Sequence, residues 1–291
     1  MSETDVELLR RIERLIAEFK GLVDDAVGTP AEAALTYGLR SLAALANMIM
    51  LDMDIFCVEP WHALRRDVPL PVPGEMLLRL KDYKGRPLTP YSAIMAFYEH
   101  GYTAQIDTIL FLAAMNQLAK SEEKQVSINV SSRSLRDPDF VRTALDRVEQ
   151  MGPDTGRRII IEIHESSPTV SMVKRVLELF HDAGISFALD DVGLSMDDVI
   201  RLSEFGGVAD YVKIDRNTVC AEPGTPGGLE EVMDFIRSAL PGTAVVAEGV
   251  RTAGHALEIH RNFPEIAYVQ GMHLPDRGHF KAMWEEAAAG R

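Results

Sequence analysis

The chain has 291 residues, 46% of them hydrophobic, a formal net charge of -14 and a sequence pI near 5.0. That length and composition suffice for a sizeable core, in one large barrel or two modest domains, and exclude a disordered chain. The acidity argues against a nucleic-acid polymer or an anionic membrane surface as partner, so an anionic small substrate needs a local correction such as bound metal plus a few Arg or Lys.

The two cysteines, Cys57 and Cys220, make neither a disulfide framework nor a Cys-based zinc motif, which suits a reducing cytoplasm. The most apolar helical stretch, Leu39 to Met53, is interrupted by Asn47 and Asp52 and is too short for a bilayer, so neither a signal peptide nor membrane insertion is expected.

Residues 5 to 27 place Leu9, Ile12, Ile16, Phe19, Val23 and Ala26 at alternating three and four spacing, a coiled-coil-like seam. Gly28, Thr29 and Pro30 break it, and a second helix runs through Leu35, Leu39, Leu42, Leu45 and Ile49. Residues 1–50 therefore read as an N-terminal helical arm that either packs on the main domain or serves dimerisation, signal input or a protein partner.

Residues 51–291 alternate short apolar runs with helix-length segments. The expected strands are Ile55–Val58, Glu75–Leu80, Val126–Val130, Arg158–Ile163, Phe187–Leu189, Tyr211–Ile214, Ala244–Ala247 and Ala267–Val269. Expected helices include Pro90–Ala119, Asp137–Met151, Thr169–Ala183, Gly228–Leu240 and Ala253–Arg261. About eight strand–helix units predict an α/β fold, a TIM-like eight-stranded (β/α) barrel, with a doubly wound sheet as the alternative. No glycine-rich phosphate loop follows any strand, and Gly206–Gly207 reads as a simple turn.

Barrels of this kind carry their chemistry at the C-terminal strand ends. Those positions hold Glu75, Asn129, Glu162, Asp190, Asp191, Lys213, Asp215, Glu248 and Gln270. Taken alone, the Asp190–Asp191 pair in S-F-A-L-D-D-V-G reads either as a helix cap or as a cation site. With oxygen ligands at strand after strand, the set suits Mg²⁺ or Mn²⁺ rather than zinc. Adjacent Asp190 and Asp191 could bridge two ions about 3.5 to 4 Å apart, the spacing used for in-line attack on phosphorus. Lys213, the only cation among them, could hydrogen-bond the attacking water or stabilise phosphoryl charge.

The segments A-L-D-D-V-G, Y-V-K-I-D-R, V-A-E-G-V and Q-G, in this order, resemble the EAL domains, bacterial barrels that bind cyclic di-GMP and, when active, hydrolyse it to linear pGpG with two divalent cations. The resemblance covers roughly Ile55 to Asp276. It implies that Glu75, in a Glu-Met-Leu variant of the signature, holds the metals with Asn129, Glu162, Asp190 and Asp191. It further implies that Lys213 and Glu248 position and activate water, that Gln270 supports the site, and that Arg79 contacts ligand phosphate. Glu59 stands where the family has a first-strand glutamine, Arg251 replaces a second Glu, and Leu80 replaces a strand-ending Trp. After the aspartate pair the chain departs from the family, reading Val192, Gly193, Leu194, Ser195, Met196, Asp197, Asp198. There Glu165, matching the family's loop anchor, is expected to face Asp197. Three functions follow: a homodimeric cyclic di-GMP phosphodiesterase, a catalytically weak or inactive cyclic di-GMP receptor that signals to a protein partner, or a barrel scaffold that has lost both ligand and activity.

Overall fold

The computed structural model describes residues 2–65, 67–68, 71–164, 173–205 and 207–289. Glu165, Gly206 and the first residues of the helix expected from Thr169 lie outside them. The chain divides into two compact units: 1–57, 76–122 and 133–152 form the first, and 58–75, 123–132 and 153–291 the second.

The first unit is built on helices. α1 (Glu3–Asp25) opens with a capping box, in which Ser2 Oγ accepts from the Asp5 amide and the Asp5 carboxylate accepts from the Ser2 amide. The box satisfies two donors that a first helical turn leaves free. The buried face is Leu8, Ile12, Leu15 and Phe19, so the seam runs one residue before the expected Leu9 and Ile16. α2 (Glu32–Met50) closes on it at Gly38, where a Cβ would stand 2.9 Å from the Phe19 ring. α3 (Pro90–Glu99) brings Phe97 to Phe19, with ring centroids 4.6 Å apart. Asn116 of α4 (Thr103–Lys120) donates to Asp5 at 3.0 Å and accepts at 2.7 Å from Arg147 of α5 (Pro138–Met151). The apolar face of α1 is therefore covered by the chain's own helices, each buried side chain contributing on the order of 1.5–3 kcal/mol. The single helix expected over Pro90–Ala119 is two, because Gly101 turns the chain at φ +84°, a conformation glycine adopts at little cost.

The sheet has nine strands: β1 (Phe56–Pro60), β2 (His62–Ala63), β3 (Gly74–Leu78), β4 (Val126–Ser131), β5 (Ile159–His164), β6 (Ser186–Val192), β7 (Tyr211–Ile214), β8 (Ala244–Ala247) and β9 (Ile266–Val269), in the order β1-β3-β4-β5-β6-β7-β8-β9-β2. From β3 to β9 neighbours are parallel, and β2 runs antiparallel to β9. β1 and β2 are joined through Trp61 and lie at opposite ends of that order, so the sheet curls into a nearly closed barrel. The eight expected strands become nine because His62 and Ala63 form a separate short strand just after β1. α6 (Lys174–Asp182), α7 (Met196–Phe205), α8 (Arg216–Val219), α9 (Leu229–Ala239), α10 (Ala253–Asn262) and α11 (Arg277–Ala289) complete the chain. Of these, α7, α8 and α11 are not evident from periodicity. No helix of the described residues is long and apolar enough to cross a membrane.

Strand alternation places the chemistry. Ile160, Ala188, Tyr211, Val246 and Tyr268 pack into one buried cluster with Trp61. Two residues further along the same strands or just past their ends come Glu162, Asp190, Lys213, Glu248 and Gln270. Side chains on one face of a strand recur every second residue, so an apolar layer is followed by a polar one at the C-terminal side. Trp61, fully buried, meets Tyr211 and Tyr268 at centroid distances of 5.4 and 5.7 Å and fills the apolar layer.

Candidate metal centre

The polar layer closes around one ammonium. Lys213 Nζ, on a side chain 1% exposed, lies 2.7 Å from Glu248, 2.8 Å from Glu162, 3.0 Å from Asp190 and 3.1 Å from Glu75. Glu75 also accepts from Asn129 Nδ2 at 2.8 Å and from Gln270 Nε2 at 2.7 Å. Carboxylates from β3, β5 and β6 and from just past β8 thus converge on Lys213 of β7, and Asn129 and Gln270 serve as partners of Glu75.

Burial and charge pull these groups in different directions. Burial raises the Glu75 carboxyl, but the Lys213 charge and the Gln270 and Asn129 hydrogen bonds outweigh it and hold Glu75 below its ordinary value. Glu162 is pushed well above the carboxylate range by burial and by the neighbouring Glu75 charge, against the pull of Lys213. Glu248 rises to about 8, again mainly through burial. Burial acts to lower Lys213, yet the surrounding carboxylates raise it overall, so it remains an ammonium.

Asp191 completes the set. A ligand atom of Asp190, of Asp191 and of Glu248 all lie within 4.8 Å of one another. The β6–β7 register shifts between Leu189 and Val192, and Asp191 takes φ +52° there. Such a bulge changes which way adjacent side chains point, and aspartate tolerates the left-handed region better than most residues. Glu248 is carried by a turn that requires glycine: Gly249 has φ +68°, and a Cβ there would meet the Arg216 side chain at 2.2 Å.

Four carboxylates around one buried lysine, with the exposed Asp191 beside them, leave an excess of negative charge, which protons or cations must balance. Glu162 Oε1 is buried and has no hydrogen-bond partner. Together with the all-oxygen donor set, this fits hard divalent cations.

Other expected site residues stand elsewhere. Arg79 belongs to the first unit, where its Nη1 donates to the Leu78 carbonyl at 3.0 Å. Glu59 is half-buried on β1 and is not among the four carboxylates on Lys213. Asp215 caps α8, accepting from the Asn217 and Thr218 amides, whereas α7, the helix after the Asp190–Asp191 pair, opens with Ser195 Oγ accepting from the Asp198 amide. The expected anchor pair has one member, Glu165, outside the described residues, and the other, Asp197, is exposed on the first turn of α7. The neighbouring Asp198 carries the loop, accepting from Gly193 N at 3.3 Å, Ser195 N at 3.2 Å and Ser195 Oγ at 2.6 Å. Helical geometry decides between them: three residues after the Ser195 cap, Asp198 turns back onto the cap, whereas Asp197 points outward. The Ser-x-x-Asp spacing of Ser195 and Asp198 is a sequence signal for this box. Arg201, which binds Asp198, gives no such signal.

A barrel whose strand ends gather carboxylates, an amide and a lysine belongs to the class built for hard divalent cations. The family model of the EAL domain matches residues 69–274, and the chain belongs to that family. No curated protein matches it. The EAL domain of FimX from Pseudomonas aeruginosa, solved bound to c-di-GMP, is 19% identical, with a TM-score of 0.63 over 80% of this chain and 94% of that one. The PaMucR phosphodiesterase in complex with c-di-GMP is 19% identical, with a TM-score of 0.61 over 75% and 94%. A standalone EAL protein from Vibrio cholerae, in its c-di-GMP-bound form, is 18% identical, with a TM-score of 0.60 over 78% and 96%.

Proposed function

We propose that this protein is a phosphodiesterase that opens cyclic di-GMP to linear pGpG. The observation that carries the reading is the complete polar layer, in which Glu75, Glu162, Asp190 and Glu248 share Lys213 while Asp191 joins Asp190 and Glu248. Glu75, Asn129, Glu162, Asp190 and Asp191 would hold two divalent cations, Mg²⁺ or Mn²⁺. Bound there, the cations would supply charge neutralisation at phosphorus and a more acidic water. Glu248 accepts the proton released as the water oxygen bonds to phosphorus, while one phosphorus–ribose oxygen bond breaks and the leaving ribose oxygen takes a proton from solvent to become a hydroxyl. Lys213 keeps the carboxylates in place and hydrogen-bonds the water. Arg79 contacts a ligand phosphate, Glu59 the rest of the ligand, and the protein works in the cytoplasm as a homodimer.

A second reading, a receptor that binds cyclic di-GMP without turning it over, draws on the divergent residues 192–198 and on Glu59 and Arg251. One assay separates the two. Purified protein is incubated with cyclic di-GMP and Mg²⁺ or Mn²⁺, and the products are separated chromatographically. Appearance of pGpG is the expected result; intact ligand over hours with calorimetric binding favours the receptor, and neither turnover nor binding overturns both.

A further inference from the structure

The residue that settles the geometry of the aspartate pair lies outside the metal-binding set. We propose that Arg201 is a positioning residue that fixes the strands bearing Glu162 and Asp190, and so the metal-binding layer, by pinning the point where β5 and β6 stop pairing.

The β5–β6 ladder ends at Ile163 opposite Leu189. One residue later the β6–β7 register slips, and Asp191 turns left-handed. Strand carbonyls released at such a point are buried and need partners, because an unpaired buried carbonyl costs about 1–3 kcal/mol. Arg201 Nη2 donates to both carbonyls, to Asp190 O at 2.6 Å and to Ile163 O at 3.3 Å. Its Nη1 pairs with Asp198 Oδ1 at 3.2 Å. Asp198 in turn holds Gly193 and Ser195, the residues that follow the pair. One guanidinium, 5% exposed, thus ties the strand bearing Glu162, the strand bearing Asp190 and the loop leaving Asp191.

The fork is what allows this. Its planar donors point in fixed directions and serve two carbonyls and a carboxylate at once, which a lysine ammonium at the same place does less well. Without it, the slipped segment can re-pair with β7 in regular register, which would move Asp190 or Asp191 away from Glu248, since one residue of slip reverses side-chain direction. In this chain the loop is thereby ordered from within α7, by a residue nine positions beyond Val192, where the shifted register resumes.

The inference rests on the metal-binding reading above, and its test keeps the two apart. Mn²⁺ is titrated into the full-length wild-type, Arg201→Met, Arg201→Lys and Ser195→Ala proteins, with free Mn²⁺ followed by electron paramagnetic resonance and folding checked by circular dichroism at the same temperature. Arg201→Met is expected to weaken Mn²⁺ binding about 10–100-fold, the range for loss of a group that orients a metal ligand. Arg201→Lys should recover part of the loss, and Ser195→Ala, which leaves the guanidinium in place, should fall nearer to wild type. Folded Arg201→Met that binds Mn²⁺ as tightly as wild type overturns the positioning role while leaving the metal site intact. If Arg201→Met does not fold, Arg201→Lys decides: unchanged Mn²⁺ affinity refutes the role, and a several-fold loss supports it. Wild-type protein that takes up no Mn²⁺ overturns the metal-binding reading and this inference with it.

Discussion

Replacing Lys213 by methionine, which nearly preserves length and volume, removes the only cation among four carboxylates. Each pair, at 2.7 to 3.1 Å, is worth on the order of 5 kcal/mol of attraction at an effective dielectric near 20. Most of that gross attraction is offset in the native protein by the cost of burying the ammonium and by repulsion among the carboxylates. In the variant, Glu162 and Glu248 relieve the excess by staying protonated, since both already lie above the carboxylate range. What remains is the loss typical of breaking a buried ion pair from one side, about 3–5 kcal/mol. Urea unfolding in EDTA at pH 8, followed by far-ultraviolet circular dichroism, measures it. Adding Glu162→Gln should leave that loss nearly unchanged, because Glu162 stays protonated in the variant and carries no charge to remove. Saturating Mn²⁺ should narrow the gap from wild type, because cations replace the missing charge. A loss under about 1 kcal/mol in EDTA would refute the view that Lys213 holds the layer together.

Glu248 binds a proton in the folded protein up to about pH 8, where an unfolded glutamate has lost it above its ordinary 4.5. The folded state therefore holds more protons in that window, so metal-free stability falls as pH rises from 4.5 towards 8. A melting temperature in EDTA that does not fall between pH 6 and pH 8, or a Glu248→Gln variant with the same slope as wild type, contradicts this. Loading with Mn²⁺ should flatten the profile, since metal displaces those protons. Phe19→Ala empties a fully buried site against Phe97 and Gly38 and should cost about 3–5 kcal/mol in urea unfolding. A loss below 1 kcal/mol would mean that α1 contributes little to its unit. Gly249→Ala forces a Cβ onto Arg216 at φ +68°. It should cost roughly 1–2 kcal/mol and, by shifting Glu248, lower kcat more than it raises KM; an unchanged kcat argues against the role given to Glu248.

The sequence by itself determined the barrel's polar layer, because strand periodicity is local. In I-I-E, A-L-D, Y-V-K, V-A-E and Y-V-Q an apolar residue is followed two places later by a polar one, so whatever closes the barrel must stack those polar groups above an apolar floor. The motifs around them also pointed to the family. Tertiary structure decided what each group meets. The convergence of four carboxylates on Lys213, the diversion of Gln270 to Glu75 and the covering of α1 by α2, α3 and α4 depend on contacts between residues far apart in the chain. So does the holding of the loop after the aspartate pair by Asp198 and Arg201. Nothing in the spacing of Arg201 shows that its fork reaches the carbonyls of Ile163 and Asp190 beside a shifted register, because such shifts arise from how strands meet and not from either strand alone.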